Sequence, residues 1–214
     1  VYAKFCQQKF DLFISGYDER YILCEFMPKD SSEDFFDNDV YDKVIHNITE
    51  EAKNINKLFK SVVRNIREVT KYDRVMLYKF DTDYNGEVIA ESKIDSLDSY
   101  MNLHYPSSEI PAQARKLYLK NTTRISYNVT YQAQGVISYY DEPIDISLGF
   151  LRSVSSIHLE YMKNMGVYAS MTLSIIINDK LWGLIACHHG SEFTPFVETI
   201  EVCEKISKIV SYLI

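Results

Sequence analysis

An α+β fold, an antiparallel sheet with helices gathered on one side, is what the sequence predicts, and three observations predict it. Apolar residues recur at steps of three and four from Asp39 to Thr70 and again from Phe196 to Leu213, the period of amphipathic helices. Between them lie β-branched and aromatic runs in pairs, each pair joined by a few polar residues, as in hairpins. The resulting order of helix, strands, short helices, hairpin and helix places the helices together against one antiparallel sheet.

The chain opens with KFCQQKFDLFI (4–14) and RYILCEFM (20–27), strand-like runs around Ser15-Gly16-Tyr17-Asp18-Glu19 that read as a hairpin. Two strands alone are marginally stable, so this hairpin belongs with a further sheet. The acidic stretch PKDSSEDFFDND follows as a linker. Three units result: a hairpin over 1–30, a linker over 31–38 and a main domain over 39–214. From Asp39 to about Thr70 the spacing predicts one helix of about thirty residues, long enough to suggest a signalling or dimer helix. RVMLYKF (74–80) and GEVIAESK (86–93) flank the polar turn DTDYN as paired strands. A short helix is predicted from Ala112 to Leu119, with Pro111 just inside its start. Residues 125–150 show no clean period, and so long a stretch predicts a binding loop. Helical spacing returns at Ile157, Leu159, Tyr161 and Met162, with Gly166 placed for a left-handed C-terminal cap. MTLSIII (171–177) and LWGLIAC (181–187) flank Asn178-Asp179-Lys180 as a second hairpin, and the last helix runs to the end of the chain.

Composition narrows the function. The 214 residues, 46% hydrophobic and 25% charged, lie far from the composition of disordered chains. A net charge of −7 repels a phosphate backbone and argues against nucleic acid as partner. Cys6, Cys24, Cys187 and Cys203 show no C-x-x-C spacing, which fits a reducing, cytoplasmic compartment better than a zinc site or a disulfide framework. No apolar run approaches the ~20 residues of a bilayer span, and no signal peptide opens the chain, so no membrane association is expected. The 17 tyrosines against one tryptophan suggest amphipathic pocket or interface walls.

Three stretches set polar residues among apolar ones. LHYPSSEIPAQARKLY (103–118) holds Glu109 between two prolines. LRSVSSIHLEYMKNMG (151–166) carries Arg152, Ser155, His158 and Tyr161, the last two on one helical face. WGLIACHHG (182–190) ends an apolar strand in two histidines, of which alternation lets only one face inward. No G-x-S-x-G elbow, H-E-x-x-H pair or glycine-rich phosphate loop accompanies them, so no enzyme activity is expected within this chain.

Together with YDRVMLYKF and GEVIAES, these stretches resemble the chromophore-binding GAF domain of phytochromes, most closely of bacteriophytochromes, in the same order over roughly residues 60–195. The first hairpin resembles the tail of the PAS domain that precedes GAF in that family. The resemblance implies a light sensor that holds a linear tetrapyrrole of biliverdin type, isomerises its D ring in red light, and signals to a C-terminal output, usually a histidine kinase. It implies that Arg124 and Arg152 bind the two propionates, with Ser155, Ser170 and Thr172 completing that shell. His158 matches the histidine beside the pyrrole nitrogens, and His188 the one at the D-ring carbonyl. Tyr78, Tyr105 and Tyr161 match the aromatic wall, with Met76 and Ile110 as apolar contacts. Glu109 stands where the family carries aspartate. Ile157 occupies the place of the thioether cysteine of plant phytochromes, and the cysteine that bacteriophytochromes use lies upstream of PAS, so the bilin is expected to be non-covalent here. A homodimer through the long terminal helices is expected. The alternative is a GAF module that binds another small ligand such as a cyclic nucleotide, or an empty dimerisation module.

Overall fold

The computed structural model describes residues 10–16, 21–28, 38–137 and 144–214. Cys6, the start of the first predicted strand, the turn at 17–20, the linker up to residue 37 and residues 138–143 of the predicted loop lie outside the described residues. Strand β1 (Phe10–Gly16) pairs antiparallel with β2 (Ile22–Pro28), and Gly16, expected in the turn, instead faces Ile22 as the last strand pair. Alternation turns Phe13, Glu25 and Met27 toward the rest of the protein and leaves Leu12, Ile14 and Phe26 exposed.

The single helix predicted from Asp39 to Thr70 is two helices, α1 (Asn38–Glu51) and α2 (Ile55–Thr70). Asn54 makes the break. Its side-chain oxygen accepts from the backbone N–H groups of Asn56 and Lys57, both at 3.1 Å, and so caps α2. Apolar spacing continues through the break, which is why periodicity alone joins the two. The break lets α1 fold back on α2, burying Val44 and Ile48, while Asn47 donates to buried Asn65 at 3.1 Å across the pair. Asn54→Ala is expected to lower stability by about 1 kcal/mol. Urea unfolding checks this, and an unchanged midpoint would mean that helix packing, not the cap, holds the break.

Among the described residues, six strands form one antiparallel sheet. They are β3 (Arg74–Phe80), β4 (Gly86–Lys93), β5 (His104–Tyr105), β6 (Thr123–Ser126), β7 (Ala169–Ile177) and β8 (Lys180–His189), in the order β5-β4-β3-β8-β7-β6. The β7–β8 hairpin turns at Asn178 and Asp179, with φ of 49° and 59°, the paired left-handed conformations of the hairpin turn that matches strand twist. Strands β5 and β6 are too short for a period to show, and β6 occupies the first residues of the stretch predicted as loop. Pro111 stands one residue outside helix α3 (Ala112–Lys120), at its cap. Helix α4 (Ser156–Asn164) ends near Gly166, whose φ of +68° is the predicted left-handed position.

Helix α5 (Val197–Leu213) packs with α2 on one sheet face. Leu58, Val62 and Ile66 of α2 and Cys203, Ile206 and Val210 of α5 meet Leu77, Leu173 and Ile185 of the sheet in the main core. Burying that face leaves the opposite one, with the alternate residues of the same strands, free to build a site.

Candidate functional site

Strand register brings the residues of that second face together. One row across the sheet runs Arg124, Thr172, Ala186, Met76, and the next runs Ser126, Ser170, His188, Arg74. Within a row the residues are cross-strand partners and share a face, so three predicted residues stand in the first row and two in the second. Ala186 is half-exposed although its strand lies in the middle of the sheet, which marks open space above a small floor residue. Met76 is buried beside it.

Helix α4 supplies His158 and Tyr161, three residues apart, with ring centroids 6.3 Å apart and planes at 26°. Ser155 is placed differently from the rest. It is exposed at the N-cap of α4, its hydroxyl oxygen accepting from the His158 N–H at 3.3 Å. Tyr78 and Tyr105 lie 5.9 Å apart between ring centroids. The Tyr78 ring passes directly over Gly86, where a Cβ would fall 1.6 Å from its Cζ, so the missing side chain sets where that ring rests. Ile110 packs against the small cluster of Phe80, Leu181 and Leu184 beside the same ring. Glu109 is exposed in the turn before α3, its N–H donating to the Pro106 carbonyl at 3.0 Å. Its charge still reaches Tyr78, Tyr105 and Tyr161, all of whose phenols are raised chiefly by burial, Tyr78 and Tyr161 to about 12.

Two cations meet at one end of the site. Burial, and then the neighbouring Arg152 charge, push Arg124 down to about 10, while the carboxylate of Glu25 opposes this. Both terminal nitrogens of Arg124, Nε of Arg152 and Nδ1 of His188 are buried without a hydrogen-bond partner among the described residues. Buried guanidinium donors are costly to leave unpaired, and these nitrogens are chemically suited to meet an acceptor. Burial lowers His158 and Arg124 adds to it; burial, Arg74 and His158 lower His188 to about 3. Both imidazoles are therefore neutral near pH 7, each offering one donor and one acceptor. His189 lies on the other side of the strand, its Nδ1 3.0 Å from Asp73 Oδ2.

Four participants escape sequence reasoning. Tyr118 of α3 shares a hydrogen bond with Thr172 and lies near both arginines. Ala186 forms the floor. Arg74, buried against Glu91 at 3.1 Å and stacked on the Tyr100 ring at 3.6 Å, walls the His188 end. Glu25 reaches in from the hairpin. Only Ala186 carries a local signal, a small residue at an inward position of an apolar strand. The assembled face offers guanidinium donors at one end and neutral, hydrogen-bonding imidazoles toward the other.

The GAF domain model matches residues 54–210, and the chain belongs to that family. Its relatives are phytochromes. The chain is 41% identical over 207 residues to cyanobacterial phytochrome A of Nostoc sp., spanning 94% of this chain and 27% of that protein. It is 49% identical over 138 residues to a bacteriophytochrome of Pseudomonas aeruginosa, spanning 63% of this chain and 19% of that one. Its fold is similar to the chromophore-binding domain of Stigmatella aurantiaca phytochrome P1, with a TM-score of 0.86 and 35% identity over 96% of this chain and 69% of the other. The chain thus carries a GAF domain of the phytochrome kind, and it spans about a quarter or less of those curated relatives. No described helix is long and apolar enough to cross a membrane.

Proposed function

We propose that this chain is the light-sensing module of a bacteriophytochrome-like receptor and binds a linear tetrapyrrole of biliverdin type. The observation that carries the reading is the pair Arg124 and Arg152, half-buried and close enough for their charges to repel, with both terminal nitrogens of Arg124 and Nε of Arg152 buried without an acceptor among the described residues, at one end of a sheet face floored by Met76 and Ala186. Two guanidiniums suit two propionates, because planar forked donors bind carboxylates bidentately. A cyclic nucleotide, with one phosphate charge, would leave one of them unanswered. The bound bilin supplies red-light absorption and ring isomerisation. The protein's part is to hold the carboxylates at Arg124 and Arg152, with the Ser170 and Thr172 hydroxyls and, beyond its capping bond, Ser155 alongside. His158 and neutral His188 offer hydrogen bonds along the ligand, and Tyr78, Tyr105 and Tyr161 close around its far end with Ile110.

The chain holds this ligand without a covalent bond. Ile157 is 80% exposed where a thioether cysteine would stand. Of the described cysteines, Cys187 and Cys203 are buried in the core on the opposite sheet face, and Cys24 points outward from the hairpin. The reading extends to a cytoplasmic receptor with a PAS-derived hairpin over 1–30, a GAF domain over 39–214 and a C-terminal output such as a histidine kinase. Two copies associate through the terminal helices, where Tyr212 is 90% exposed, and sedimentation at rising concentration tests that association.

Mixing the chain with biliverdin is expected to give a red or far-red absorption band and a higher melting temperature. Denaturing electrophoresis with zinc fluorescence should then show free pigment and a dark protein band. Absence of both the absorption band and the melting shift would overturn the bilin reading, while a fluorescent protein band lost on replacing Cys6 or Cys24 would overturn non-covalent binding.

A further inference from the structure

The hairpin does more than lean on the domain. Glu25 of β2 accepts two successive backbone N–H groups from the far side of the chain, Phe150 to Oε2 and Leu151 to Oε1, each at 2.7 Å. Such charge-assisted bonds are among the stronger ones available to a backbone, and each carboxylate oxygen has its own donor. The approach depends on Gly149. A Cβ there would stand 3.3 Å from Glu25 Oε1, 3.3 Å from Arg152 Cβ and 3.0 Å from the Ile146 carbonyl oxygen. Two more contacts fasten the same junction. Phe13 of β1 stacks on Phe150 at 4.5 Å between centroids, and the Tyr127 hydroxyl donates to Met27 Sδ at 3.1 Å. Glu25, Gly149 and Arg152 line one cavity of about 400 Å³.

Beyond this clamp the chain leads directly to Arg152. Residues 144–155 have no helix or strand ladder, so nothing periodic fixes the backbone that leads into that arginine. Side chains fix it instead: Glu25 holds the two residues immediately before Arg152, Asn121 Nδ2 donates to the Leu148 and Gly149 carbonyls at 3.3 and 3.0 Å, and the Tyr131 hydroxyl accepts from the Val154 N–H at 2.8 Å, so that Glu25 is the contact nearest the arginine on its N-terminal side. A carboxylate this close to an anion site would repel the ligand if left free, but its oxygens are directed at amides.

We propose that Glu25 is a positioning residue for the carboxylate site: the hairpin, through this one side chain, orients Arg152 toward a ligand carboxylate and makes itself part of ligand binding. This rests on the bilin reading of the site. Without the clamp, the stretch before Arg152 samples more conformations, and the guanidinium must be ordered by the ligand at the ligand's expense.

The test titrates the 214-residue chain with biliverdin and with biliverdin dimethyl ester, which lacks the propionate charges. Wild type is compared with Glu25→Ala, Glu25→Gln, Arg152→Ala and the Glu25→Ala/Arg152→Ala double variant. Glu25→Ala is expected to weaken biliverdin binding about five- to twentyfold, and Glu25→Gln less, since one oxygen remains to accept. Binding of the ester should change less than about twofold, and the Glu25→Ala effect should shrink to that level once Arg152 is gone. Equal losses for acid and ester, or a full Glu25→Ala effect in the Arg152→Ala background, would show that Glu25 merely holds the fold and overturn the proposal. If Glu25→Ala melts too low to titrate, the acid-to-ester comparison in Glu25→Gln decides. Wild type that ignores biliverdin overturns the bilin reading and this inference with it; wild type that binds, with both Glu25 variants unchanged, overturns this inference alone.

Discussion

Replacing Arg124 and Arg152 together with alanine is expected to lower biliverdin affinity by about a hundredfold to ten-thousandfold. Each arginine contributes a charge-assisted bond of about 1.5 to 3 kcal/mol, or about 10- to 150-fold in affinity, and neighbouring sites combine less than additively. Arg152→Lys should fall between wild type and Arg152→Ala, because a lysine restores the charge but not the fork. The ligand-free protein should respond in the opposite sense. Arg124 is disfavoured by burial and by the Arg152 charge, and its terminal nitrogens lack partners among the described residues. Removing one of two repelling cations costs the empty fold little, and its melting temperature should hold or rise. Absorbance titration and thermal melts of the same variants measure both halves. Equal titration curves for wild type and the double variant would remove the pair from the site. A large loss of ligand-free stability would mean that the arginines serve the fold.

The ligand-free protein should also lose stability in mild acid because of His188. Its folded value is lowered from 6.5 to about 3, by burial first and then by the charges of Arg74 from β3 and His158 from α4. The hydroxyl of Ser170, its cross-strand neighbour on β7, adds no charge to this group. Between those two values the unfolded chain binds a proton that the folded chain does not, so stability rises with pH through this window. The contribution is complete above about pH 6.5 and falls as the pH drops toward 3. The loss amounts to about 2 kcal/mol by pH 5 and is on the order of 3 to 5 kcal/mol near the lower end. His158 is lowered as well and acts in the same direction. His188→Gln removes the titration while keeping a polar side chain. Urea unfolding at pH 7.5 and pH 5 should therefore show a smaller acid loss in the variant than in wild type. The same loss in both would mean that His188 is not held neutral in the fold.

The elements with strong periods are legible in the sequence. Strands over 74–80 and 86–93, the β7–β8 hairpin and the closing helix follow from spacing and turn residues, because each is long enough to repeat its period several times. The stretch Asp39–Thr70 reads as one helix because Asn54 breaks the backbone without breaking the apolar pattern. Strands β5 and β6 leave no trace because two and four residues carry no period. Among the expected site residues, Arg124, Ser170, Thr172, His188 and Met76 come together by strand register, and His158 and Tyr161 by helical spacing. The family resemblance, not any local pattern, singles them out. Ser155 is legible as part of the motif, but its work at the N-cap is a property of the helix it begins.

Local chemistry is enough for the α+β class, the two hairpins and the left-handed position at Gly166, because turns and periods are settled by neighbours in the chain. The site's charge state is not local. That the Arg124 and Arg152 charges come close enough to repel, that His188 is neutral, and that Glu25 reaches Phe150 and Leu151 across 125 and 126 positions of sequence all depend on distances between remote segments. Burial and Coulomb energy act through space, and strand register and helix docking set those distances only once the chain has packed.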